Sequence, residues 1–237
     1  MSDRQYETDA DTMNNETLTQ AFADAGREYG FETVTAEFIP FKDFKVQWSR
    51  SSREIQFRVS DYLADAPYEV FHGLAATLFA RIAGRDDVPY SEEMRAWVLA
   101  PEFSEKFLFR YIERSGNLTP SPLGFHRDLN DSIKRLTAMG LIDPAAGIRV
   151  VWTMNSDNQR AASCSVLFKV VAVNIHLDDP QVPDEVLDYA VYTQWLRIVE
   201  GAKVFGKSTE VYTRPQEEKY PKFHEAEKYL DNLNLFL

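Results

Sequence analysis

Apolar positions along this chain recur with two periods, about 3.6 and 2, and their alternation predicts helices and short strands in turn. Leu18 to Tyr29 has helical spacing, with Thr17 as the expected cap and Gly30 as the stop. Phe44 to Trp48 and Glu54 to Val59 alternate as strands around a Ser-Arg-Ser-Ser-Arg turn. Pro67 opens a strongly apolar helix that runs through Ile82 and is closed by Gly84. Ser91 caps another, Glu92 to Leu99, and a Phe-rich segment follows from Phe103 to Ile112. Asn117 to Gly124, with two prolines, is the expected linker. Asp128 to Met139 forms an amphipathic helix stopped by Gly140, whose missing Cβ suits a left-handed cap. The last segment, Pro221 to Leu237, predicts a helix with Phe223, Ala226, Tyr229, Leu230 and Leu233 inward. Its apolar end, Leu235-Phe236-Leu237, is expected to dock on its own domain or on a partner.

The pattern repeats. Val46-Gln47-Trp48 is answered by Val150-Val151-Trp152, and Pro67 to Ile82 superposes without gaps on Pro183 to Ile198. Pro67, Glu69, Val70, Thr77, Arg81 and Ile82 then meet Pro183, Glu185, Val186, Thr193, Arg197 and Ile198. A tandem duplication is the expectation, in which both Thr–Arg pairs serve the structure and His72 is a packed core histidine. The fold class predicted is α+β: two helix-and-sheet units, each packing a short antiparallel sheet on an apolar helix, joined by a helical connector. The expected divisions are a flexible acidic tail at residues 1–16, an N-terminal unit at 17–116, the connector at 117–147 and a C-terminal unit at 148–237.

Composition narrows the function classes. The formal charge of −11 makes bulk nucleic-acid binding unfavourable. Phe41 to Arg58 is a local exception, with Lys42, Lys45, Arg50, Arg53 and Arg58 among four aromatics, and is expected as an amphipathic hairpin with its rings inward. The single cysteine, Cys164, permits no internal disulfide and is expected as a buried thiol in a reducing cytoplasm. No charged-then-apolar leader and no apolar run near the roughly 18 residues of a spanning helix are present, so no membrane partner is expected. His126, His176 and His224 share no metal spacing, and the pairs Asp86-Asp87 and Asp178-Asp179 are expected in solvated turns without a catalytic role.

Two segments carry candidate chemistry. Gly201 to Ser208 satisfies the phosphate-loop pattern, in which backbone amides, Lys207 and the Ser208 hydroxyl after Gly206 would cradle a nucleotide and its magnesium. Such a loop must join a buried strand to a sizeable helix, whereas Pro215 interrupts the chain soon after, so a helix-exit loop is expected instead. The second segment is Asp188-Tyr189-Ala190-Val191-Tyr192-Thr193-Gln194-Trp195-Leu196-Arg197-Ile198. Its Asp188, Tyr189, Tyr192 and Ile198 frame resembles SprT-like and related minigluzincin zinc peptidases, particularly their archaeal relatives, from about Ile148 onward. Val182 to Leu187 is similar to the family's lead-in to that helix, and Ser165 to Leu177 to its preceding strand.

The resemblance implies a zincin-like fold whose helix should bear His-Glu-x-x-His, two imidazoles gripping zinc and a glutamate activating its water. Thr193, Gln194 and Arg197 stand at those places, and the family's downstream ligand would fall near Ser208 or Thr209, with His224 the one downstream imidazole. Neutral Thr and Gln bind zinc poorly, Arg197 repels a divalent ion, and Gln194 cannot take a proton from water. No metal, no cofactor and no catalytic residue are therefore expected. The reading is a pseudopeptidase that binds or assembles protein, its retired cleft flanked by Asp188, Tyr192 and His224. The alternative is a hydrolase, either nucleotide-binding through Gly201–Ser208 or metal-dependent with relocated ligands.

Overall fold

Ile55, Phe57 and Val59 are buried while Glu54, Gln56 and Arg58 are exposed, and this period of two orients the first sheet. Their strand, β3 (Glu54–Ser60), is central: it runs parallel to β1 (Thr33–Ile39) and antiparallel to β2 (Val46–Arg50). The apolar face packs on α1 (Asp9–Arg27) and α2 (Tyr68–Ile82), where Phe57 meets Phe22 and Phe79 with ring centroids 4.7 and 5.3 Å apart. A shorter helix, α3 (Glu92–Leu99), packs on α2 and is capped by Ser91, whose hydroxyl accepts from the Met94 amide. The computed structural model describes residues 9–156, 160–203 and 210–236, which divide into two units, Met1–Ala100 and Pro101–Leu237.

The second unit follows the same order. After α4 (Pro101–Ser115) come α5 (Leu129–Ala138), β4 (Arg149–Trp152), β5 (Ala162–Ser165), β6 (Val170–Val173), α6 (Asp184–Lys203), α7 (Glu210–Glu217) and α8 (Phe223–Phe236). β6 is central, parallel to β4 and antiparallel to β5, as β3 is to β1 and β2. In both units a single 3-10 turn, Asp61–Leu63 or Ile175–Asp178, leads from the third strand toward Pro67 or Pro183 and the long helix behind it. Val150, Trp152, Val171 and Val173 face α5 and α6, and Phe168, on the turn before β6, stacks on Tyr111 of α4 at 4.5 Å.

Both units are α+β, but neither sheet is purely antiparallel. The hairpin's second strand pairs on its far side with the strand before the hairpin, which makes that outer pair parallel. This topology matches β1 with β4, so Val46–Trp48 on β2 and Val150–Trp152 on β4 are not equivalent. Residues 117–147 do not form a connector: α5 packs on α6 and β4, and Gly140 closes it at φ 68°. Nor is Asn117 to Gly124 a free linker, because Thr119 donates to Trp152 O at 2.9 Å and Met154 to Asn117 O at 2.8 Å, sealing the β4 edge.

The first helix starts at Asp9 instead of after Thr17. Tertiary bonds extend it: Asn15 Oδ1 accepts from the Phe38 amide at 2.9 Å, and Thr19 Oγ1 both accepts from Ala36 N and donates to Ala36 O. Residues 1–8 of the expected tail and Leu237 lie outside the described residues, and Leu233, Leu235 and Phe236 outside the described side chains. Among the described residues no helix is long and apolar enough to cross a membrane.

Candidate functional site

The Asp-Tyr-x-x-Tyr frame lies on α6, and every member of it is buried. Asp188, 2 % exposed, accepts both ends of the Arg135 guanidinium from α5, Nε and Nη2 each at 2.7 Å. This fork matches the planar geometry of a carboxylate, and the bond holds Arg135 still further above its ordinary range. Tyr189 packs its ring against Tyr220 and Phe223 at 5.4 and 5.8 Å. Tyr192 donates to Gln216 O at 2.8 Å, which ties α6 to α7. Burial, reinforced by Glu217, pushes the Tyr189 phenol well above its usual range and raises that of Tyr192, and burial pushes Tyr220 well up too. These tyrosines are packing groups that keep their protons.

Thr193, Gln194 and Arg197 differ among themselves. Thr193 and Gln194 are 8 % and 6 % exposed. The Thr193 hydroxyl donates back to Ala190 O at 3.1 Å, and Gln194 Nε2 reaches Thr193 Oγ1 at 3.4 Å, so each finds its partner on the helix itself. Arg197 is exposed. Its charge is felt by Cys164 on the edge strand β5, where it opposes the burial that pushes the thiol up to about 11. Cys164 is half-buried against the core of the second unit, a setting that disfavours its thiolate.

His224 is exposed on α8, with its ring 4.8 Å from that of Phe223. His126 and His176 are exposed as well. Among the described residues no group of three His, Cys, Asp or Glu side chains stands where it could hold a metal ion. The phosphate-loop pattern meets a different obstacle, since α6 occupies the place of the strand that should lead into Gly201 and continues through Gly201, Ala202 and Lys203, where the loop should begin. Gly206, Lys207 and Ser208 lie outside the described residues.

In the first unit the equivalent helix is less filled. Thr77 bonds Gly73 O at 2.9 Å, in the manner of Thr193, while Arg81 is used differently from Arg197: it donates to Val88 O and Tyr90 OH and stacks on the Tyr90 ring at 4.4 Å. Where α6 carries Tyr189 and Tyr192, α2 carries Gly73 and Ala76, and a groove of about 630 Å³ opens beside them. His72 lines that groove half-buried, stacked on Tyr68 at 5.9 Å, and is not a core residue. The Tyr68 hydroxyl donates to Asp24 at 2.7 Å. The small side chains that open the groove also admit Ser91, because a Cβ on Gly73 would come 2.1 Å from its hydroxyl.

One feature carried no motif in the sequence. Asp178, expected in a solvated turn, is 3 % exposed and accepts the backbone amides of Phe125, His126 and Arg127, the last at 2.8 Å. Gly124 leaves the room, since a Cβ there would lie 2.6 Å from Asp178 Oδ1. The carboxylate thus takes the place an anion would occupy in that loop and fixes it to the turn before α6. Searches of protein-family models, of curated proteins and of solved structures returned no match to this chain.

Proposed function

We propose that the chain is a catalytically inactive relative of the SprT-like and minigluzincin peptidases, formed by tandem duplication, that works inside the cell by binding or assembling protein. The observation that carries this reading is the Thr193–Gln194 pair. At the two places where the family's helix would present a ligand and a general base, the side chains are uncharged, buried and bonded within α6. Nothing in that pair can bind zinc strongly or accept a proton from water. Arg197, at the place of the next ligand, adds a fixed positive charge. The frame residues Asp188, Tyr189, Tyr192 and Ile198 remain useful as core, which accounts for a scaffold that outlives its chemistry. The shared strand order of the two sheets and the shared turn before α2 and α6 support the duplication.

Metal analysis and peptidase assays of the purified chain test this reading together. The expected result is well under one zinc per chain after saturation and dialysis, with no cleavage of an unfolded protein substrate. Stoichiometric zinc that disappears in His224→Ala, or zinc-stimulated cleavage, overturns it. Restoring Thr193→His, Gln194→Glu and Arg197→His together should raise zinc affinity over the native chain.

A further inference from the structure

We propose that the free edge of β2 is a docking strand for an extended, acidic segment of a partner protein, which adds to the first sheet antiparallel or parallel to β2. This deepens the protein-binding reading by naming a surface and a partner chemistry, yet it lies in the first unit and does not involve α6.

The two edges of the first sheet are treated differently. At β1, Asn15 and Thr19 of α1 take up the outward amides of Phe38 and Ala36 and the Ala36 carbonyl. At β2 the alternation of the antiparallel ladder decides which groups face outward. Lys45 O accepts from Ser60 N and Ser51 N donates to Glu54 O, so Lys45, Gln47, Ser49 and Ser51 bond toward β3. Val46, Trp48 and Arg50 therefore turn their N–H and C=O groups outward, and no described residue bonds to them. An exposed edge of this kind is a template for one more strand.

Side chains at this edge select the partner. Trp48 is 46 % exposed, a large apolar surface left beside the open backbone groups. A groove of about 650 Å³ runs over the adjoining polar face, lined by Glu37, Gln47, Trp48, Ser49, Gln56 and Arg58. Residues 41–58 hold Lys42, Lys45, Arg50, Arg53 and Arg58 against Asp43 and Glu54, a local excess of positive charge in a chain of net charge −11. Arg53 and Arg58 are paired with Glu32 and Glu37. Lys42, Lys45 and Arg50 make no ion pair among the described residues, and Lys45 and Arg50 lie over the rings of Phe41 and Trp48. Unspent cations flanking an open strand complement carboxylates on an incoming one. A nucleic acid cannot use the strand's backbone groups in register, and the acidic remainder of the chain repels its phosphates.

Titrating the ¹⁵N-labelled full chain with a decapeptide of alternating glutamate and valine tests the proposal, with alternating lysine and valine and a ten-nucleotide oligo-dT as the other arms. The expected result is saturable movement of the Val46, Trp48 and Arg50 amides with the acidic peptide only. Lys45→Glu combined with Arg50→Glu should weaken binding about tenfold or more. Val46→Pro removes one outward donor without touching the ladder to β3, and should weaken binding while leaving the unfolding temperature near that of the parent. Equal binding of the lysine peptide, preference for oligo-dT, shifts confined to α6 and β5, or indifference to Val46→Pro would each overturn it. An effect of Arg197→Ala with none from the β2 variants would instead leave a protein-binding role and remove this surface.

Discussion

Arg135 on α5 grips Asp188 on α6 with two hydrogen bonds of 2.7 Å, and only Arg135 keeps contact with water, at 35 % exposure of its side chain against 2 % for the carboxylate. The pair joins α5, the helix before the second sheet, to α6, the helix after it. Asp188 opens the Asp-Tyr-x-x-Tyr frame, and its work here is to lock two helices. Asp188→Ala should cost about 3 kcal/mol, near the low end for a broken buried pair because Arg135 can turn to solvent. Urea unfolding measures this, and a loss below about 1 kcal/mol would show that the clamp contributes little.

Cys164 should resist alkylation. With its thiol pushed up to about 11 by burial, on the order of a thousandth is thiolate at pH 8, against roughly a quarter for an unfolded cysteine. Iodoacetamide should label the folded chain far more slowly than the urea-unfolded one, with the folded rate climbing toward pH 11. The folded value lies above the unfolded one, so this thiol contributes stability that is complete below the ordinary cysteine pKa and lost as pH rises through the folded value. Because the Arg197 charge opposes the shift, Arg197→Gln should raise the thiol further and slow labelling again.

Gly124 and Asp178 should act as one unit. Gly124→Ala brings a methyl within 2.6 Å of the carboxylate and displaces it, while Asp178→Ala strands the amides of Phe125, His126 and Arg127. Each should destabilise by about 2 kcal/mol or more. In the double variant the penalties should fall short of their sum, and full additivity in a double-mutant cycle would show that the loop does not depend on the carboxylate.

Gln194→Glu should reveal how enclosed this position on α6 is. A carboxyl at a site 6 % exposed, with no cation bonded to it, has its pKa raised by burial. The raised folded value means little penalty near pH 4, below an unfolded glutamate, and a loss that grows to about 2–4 kcal/mol as pH rises toward 7.5. Denaturation midpoints at the two pH values check the sign. An equal loss at both would point to packing and not charge.

The helices before and after each sheet in the chain were legible because their apolar period is strong and their stops are explicit, as at Gly84 and Gly140. The class and the hairpin β2–β3 followed from the alternation around Ser51 and Ser52. The strand order was not legible. Val46-Gln47-Trp48 and Val150-Val151-Trp152 look alike because both are short strands, and nothing local says that one is an outer antiparallel strand and the other an outer parallel one. The start of α1 was missed because Asn15 and Thr19, polar in sequence, are held by a strand more than fifteen residues away. Asp178 was misplaced for a similar reason, its partners lying some fifty residues upstream. At the candidate site Thr193, Gln194 and Arg197 could be singled out from the chain alone, whereas the burial of the first two beside an exposed Arg197 needed the fold.

Asn15 and Thr19 also set a limit on valency. A sheet with two raw rims can recruit strands without end, the geometry of a fibril. With the β1 rim stoppered by α1, a strand that joins β2 leaves no second growth front on the far side of the first sheet. Any addition is confined to the β2 side, so the first sheet can widen in one direction only.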